Sequence, residues 1–156
     1  METILTSQTL GSHDELTRTA ARSSSRARLW TGRIITGFTV LFLLFDSAIK
    51  LFRLPVAVEG TVKVGYPASV VFGLGVVLLA CLAVYLIPRT AIFGAVLLTG
   101  YLGGAIATHV RVSDPLFSHV LFPIYVAALV WGGLYLRDPR VRALIAPVGR
   151  KRATPA

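Results

Sequence analysis

Five side chains able to carry chemistry stand inside or at the edges of long apolar runs: Asp46, Lys50, Tyr101, His109 and His119. A charged group at the centre of a membrane helix costs about 2.5–3.5 kcal/mol, and less near the ends, so the few that are retained are informative. Asp46 and Lys50 are four residues apart and share a helix face, with Arg53 three further on. An acid and an amine at that spacing neutralise one another. Such a pair either staples a helix into its bundle or offers a ligand both acceptors and donors. Tyr101 and His109, eight apart, fall on nearly one face. His109 and His119 flank a short turn, which sets their rings at similar depth on neighbouring antiparallel helices. If three helices turn these faces inward, the five residues line a shallow polar cavity opening on one side of a membrane.

Other chemistry is poorly supported. Two imidazoles suit haem or a metal, but no acidic or thiolate set accompanies them, so neither is expected. Cys81 is the single cysteine and sits mid-run. One thiol cannot close a disulfide within the chain, and its place is that of a small packing residue. His13 lies in the N-terminal stretch, away from the rest. No phosphate-binding loop, zinc-protease motif, nucleophile elbow or cysteine cluster occurs, so there is no autonomous catalytic motif.

The elements that must position these groups are membrane helices. Of 156 residues, 54% are hydrophobic and only 15% charged, with a mean hydropathy of +0.72. Soluble domains carry roughly a quarter charged residues. Four apolar runs, about 31–51, 67–87, 90–108 and 116–136, each have the roughly 20 residues that cross about 30 Å of hydrocarbon. The expected fold is therefore an all-α integral membrane four-helix bundle with short loops. Residues 29–142 form the bundle, between a disordered basic tail at 1–28 and a second basic tail at 143–156. The segment 52–66 reads equally as an interfacial helix or an irregular stretch.

A net charge of +9 would suggest nucleic acid in a soluble protein. Here ten of the sixteen basic residues lie before the first apolar run or after the last, flanking apolar spans, which reads as topology and not as nucleic-acid binding. Adding Arg89 puts eleven on one side, against Lys50, Arg53, Lys63 and Arg111 on the other. The positive-inside rule then sets both termini in the cytoplasm. Trp30, Tyr85, Trp131 and Tyr135 are expected as an aromatic belt at that inner boundary. Arg53, Glu59, Lys63 and Arg111 are expected at the outer interface. Gly100, Gly104 and Thr108 recur every four residues, a spacing that lets helices approach closely, either inside the bundle or in a homo-oligomer.

The segments Gly37–Leu51, Gly65-Tyr66-Pro67, Gly103–Arg111, Asp114-Pro115-Leu116 and His119–Arg140 resemble the DoxX-like family of small bacterial membrane proteins. The resemblance covers about residues 30–142. It implies a four-helix bundle in the bacterial inner membrane and a link to quinone-coupled oxidoreductases, the family being named for a subunit of one. On that reading the chain is an accessory subunit of a membrane redox system, with a quinone-like or small polar ligand in an outer-leaflet cavity and a redox protein as partner. The alternative is a non-enzymatic assembly factor whose spans pack against the helices of a client membrane protein, as the resemblance to a distant eukaryotic branch suggests. A transporter is disfavoured, since the halves do not repeat and no span is broken near its middle.

Overall fold

A computed structural model describes the backbone of residues 2–145 and the side chains of residues 25–145. Helix α1 spans Glu2–Leu51, α2 Pro55–Lys63, α3 Val70–Leu86, α4 Ala91–Arg111, α5 Phe122–Arg137 and α6 Pro139–Ile145, with a π-helical turn at Leu116–Val120 before α5. No strand occurs among the described residues. Three segments are long and apolar enough to cross a membrane: Ser25–Leu51, Ala91–Arg111 and Leu116–Arg137.

The fourth expected span is shorter than its apolar run. Helix α3 has 17 residues, against the 21 positions of the run 67–87. Proline explains the C-terminal end, while at the other end residues 68–69 form a turn in which Val70 N–H bonds Pro67 C=O at 3.1 Å. Pro88 disfavours helical conformation in the residue before it, and Ile87 is extended (φ −76°, ψ 119°). Upstream, Gly65 adopts φ +88°, which closes α2 in a left-handed turn at the start of the α2–α3 connection. The segment 52–66 holds the nine-residue helix α2, opened by Pro55 in its first turn, where a missing N–H costs nothing.

Helix α4 runs past the expected end at 108 to Arg111, which puts His109 inside it. The run 116–136 is divided. Leu121 N–H bonds Leu116 C=O at 2.9 Å and Val120 N–H bonds Pro115 C=O at 3.4 Å, both in i→i−5 register. Pro123 supplies the cause: its ring and lost N–H are incompatible with a regular preceding turn, and a widened turn accommodates them.

The tail expected over 1–28 falls mostly outside the described side chains. Its last residues, 25–28, are a turn of α1 and not irregular chain; Thr31 Oγ1 donates to Ala27 C=O at 3.0 Å within it. Of the tail 143–156, residues 143–145 close α6 and the rest lie outside the described residues.

Helices α1, α3, α4 and α5 close a ring: α1 packs on α3 and α5, and α4 packs on the same two. Two glycines permit the tight α1 contacts. A Cβ on Gly75 would lie 3.0 Å from Leu51 N, and one on Gly133 would lie 2.6 Å from Thr36 Oγ1. Ser47 is fully buried at the first crossing and donates to Gly75 C=O at 3.0 Å. Leu43, Leu78, Leu82, Leu98, Val130 and Leu134 fill the interior. Outward, Ile34, Phe38, Leu41 and Phe45 on α1 are each about two-thirds exposed, a stripe suited to lipid.

Two of the four aromatics expected in the belt turn inward instead. Trp30 and Tyr135 are exposed, but Tyr85 is fully buried and its hydroxyl donates to Val130 C=O at 3.0 Å. Trp131 is half-buried, with Nε1 donating to Thr99 Oγ1 at 2.9 Å. Both serve as helix–helix contacts because their helix faces turn inward.

Candidate functional site

A cavity of about 550 Å³ lies toward the end of the bundle that carries Lys50 and His109. Helix α1 contributes Phe42, Leu43, Asp46, Ile49 and Lys50, and α2 closes one side with Val56, Ala57, Gly60, Thr61 and Val64. Helix α4 contributes Gly100, Tyr101, Gly104, Ala105, Thr108 and His109; Phe122, Pro123 and Val126 come from α5. The walls are largely apolar, with a few polar groups, which is the usual composition of a small-molecule site.

Four of the five sequence candidates, Asp46, Lys50, Tyr101 and His109, line this cavity; His119 does not. His119 stands in the π-helical turn, exposed, with its ring centroid 5.7 Å from that of His109 and Nδ1 bonded to Ser118 Oγ at 2.8 Å. The altered register of that turn keeps the second ring at the rim. Asp46 and Lys50 form an ion pair through Oδ2 and Nζ, both side chains partly buried. Arg53 does not join them: it lies beyond the end of α1 at φ +50° and its guanidinium donates to Ala68 C=O at 3.4 Å.

Asp114 escaped the sequence reading because it stands in the loop after α4 and looked only like a turn residue. Its Oδ2 lies 2.7 Å from His109 Nδ1. That hydrogen bond holds the Asp114 carboxyl below the usual carboxylate range. An ionised carboxylate only accepts, so Nδ1 carries the hydrogen. The Asp114-Pro115 dipeptide five residues after His109 was the available signal.

The rim is tied together beside this pair. Arg111 donates to Val64 C=O at 2.6 Å and stacks over the Tyr66 ring, 5.7 Å from its centroid. Tyr66 OH meets Thr108 Oγ1 at 3.2 Å. These contacts fasten the α2–α3 connection to α4. The stripe Gly100, Gly104 and Thr108 lines the cavity, and a Cβ on either glycine would meet nothing within 4 Å. Within this chain the two glycines make room and no close helix contact.

The ion pair predicts a non-additive result. Asp46→Ala strands the Lys50 ammonium against apolar walls, at about 1–3 kcal/mol. Asp46→Ala with Lys50→Ala removes the charge as well, so unfolding titrations of the purified protein should find the double variant more stable than the Asp46→Ala single variant. Additive losses would show that the two groups do not interact.

Among the described residues no group of three or more His, Cys, Asp or Glu side chains is placed to share a metal ion. The sequence profile of the DoxX-like family matches residues 34–133. That segment contains the last 18 residues of α1, all of α2, α3 and α4, and α5 to Gly133, and with them every polar residue of the cavity and its rim. No curated protein and no solved structure matches the chain.

Proposed function

The chain belongs to the DoxX-like family, and on that footing we propose that it is an accessory subunit of a quinone-linked redox system in the bacterial inner membrane, binding a quinone-like amphiphile in the cavity between α1, α2, α4 and α5. The observation that carries this reading is the cavity's composition. Phe42, Leu43, Phe122 and Val126 offer an apolar bed for a ring and the start of a tail, while Asp46, Lys50, Tyr101 and His109 offer hydrogen bonds to a polar head. A volume of about 550 Å³ suits a bicyclic head with its first tail unit.

In this arrangement all four main helices span the bilayer, with both termini cytoplasmic and the cavity in the outer leaflet. Helix α3 covers roughly 26 Å at 1.5 Å per residue, and residues 67–69 extend it toward the interface. The excess of basic residues before the first apolar run, after the last and at Arg89 supports the orientation. A cytoplasm-only reporter fused at Ala156, or inserted at Arg89, should be active; activity from a fusion at Asp114 would reverse the topology.

Purification of the full chain from native membranes in mild detergent tests the function. Membrane quinone should co-purify near stoichiometrically, together with an oxidoreductase. Quinone no higher than in an unrelated membrane protein prepared alongside would reject the ligand, and absence of any redox partner would reject the accessory role. The outward stripe of Ile34, Phe38, Leu41 and Phe45 supports the second reading, an assembly factor packing on a client's helices. That reading predicts co-purification with a non-redox membrane protein and loss of it in Phe38→Ser.

A further inference from the structure

The cavity's polar groups differ in what they can give a ligand. Lys50 is partnered by Asp46 and still has donors to spare. The Tyr101 hydroxyl has no hydrogen-bond partner among the described residues and can donate or accept. His109 is different, because its chemistry is set from behind. Its Nδ1 is engaged by Asp114 at 2.7 Å, and Asp114 itself does not line the cavity. With Nδ1 carrying the hydrogen toward Asp114, Nε2 is the ring atom left for a ligand: it has no partner among the described residues, and in a neutral imidazole it holds a lone pair. The histidine thus presents an acceptor at the cavity wall, and a carboxylate fixes that tautomer much as such carboxylates orient catalytic and metal-binding histidines elsewhere.

We infer that the Asp114–His109 pair selects a ligand bearing a hydroxyl, so that the cavity prefers the hydroquinone form of its amphiphile over the quinone. This rests on the ligand reading proposed above. A hydroquinone O–H donates to Nε2, whereas a quinone carbonyl brought to the same atom sets two lone pairs against each other. The other charged and titratable groups of the cavity and its rim are the Asp46–Lys50 ion pair on α1, Lys63 on α2, Tyr101 and Arg111 on α4, and His119 on the π-helical turn. Arg111 is engaged with Val64 C=O, and His119 lies outside the cavity lining. Neither the ion pair nor the tyrosine imposes one ligand polarity, since each offers both donors and acceptors. The discrimination falls to His109.

The test measures binding of dimethylnaphthoquinone and of its hydroquinone, kept reduced under anaerobic conditions, to the full-length protein in detergent at neutral pH. The native protein should favour the hydroquinone by about five- to tenfold, the worth of one hydrogen bond exchanged for a mismatch. His109→Phe keeps a ring in place and should erase the preference. Asp114→Asn is the sharper variant: its amide can donate to Nδ1, which moves the hydrogen to Nε2 and should invert the preference toward the quinone. Equal binding of both forms by the native protein, or a preference that survives in His109→Phe, overturns the inference and leaves the ligand reading standing. Binding of neither form overturns both.

Discussion

Gly94→Ala should be the most damaging single-methyl change in the protein, leaving little folded material in a detergent unfolding titration. Gly94 faces Tyr85 where α3 and α4 form their hairpin, and a Cβ there would overlap the backbone nitrogen and Cα of Tyr85. A side chain can rotate away from such an overlap, but backbone at a tight turn cannot. The turn itself is held by Thr90 Oγ1, which donates to Val84 C=O at 2.9 Å, and by Gly94 N–H to Thr90 C=O at 2.8 Å. Relief therefore means moving α4 off α3, which also pulls Tyr85 from its bond to Val130 C=O. The loss should be about 3 kcal/mol or more, the upper end for overpacking. Unchanged stability would show that the hairpin is looser than described.

Gly104→Leu should do the opposite: fold normally and lose the ligand. Gly104 lies on the cavity wall with nothing within 4 Å of where its Cβ would stand. Leucine is also a better helix former than glycine, by roughly 0.5–1 kcal/mol, so the bundle should be as stable as before or slightly more so. Its four carbons would occupy the space a ring needs, and co-purified quinone should fall to the level of an unrelated membrane protein. Normal quinone content in a folded Gly104→Leu protein would place any quinone elsewhere. The contrast with Gly94 matters, since two glycines ten residues apart on one helix predict opposite outcomes.

That contrast also marks how far the sequence could be read. The order and approximate bounds of the apolar helices follow from hydrophobic run length and proline, whereas α2 and α6 lie outside any long apolar run. The C-terminal trimming of α3 was legible too, as Pro88 disfavours helix at Ile87, but run length alone extended it to 67–87. What glycine does could not be read. Gly75, Gly94 and Gly133 mark close helix contacts while Gly100 and Gly104 mark empty space, and only helix rotation distinguishes them. Periodicity put Asp46, Lys50, Tyr101 and His109 on the faces from which they line the cavity. It failed for His119, because Pro123 shifts the turn before α5 into a different register. Asp114 was missed since its partner His109 lies five residues upstream, across a helix end where 3.6-residue counting no longer applies.

The ligand cavity is tested most directly by photolabelling the full-length protein in native membrane vesicles with an azido-naphthoquinone and mapping the adducts by mass spectrometry. Adducts should concentrate on Phe42, Tyr101 and Val126, which line the cavity from three helices, and excess unlabelled quinone should suppress them. Adducts spread over Ile34, Phe38, Leu41 and Phe45, on the outward face of α1, and indifferent to competition would mean that the probe was merely dissolved in lipid. That result would contradict a quinone site between α1, α2, α4 and α5.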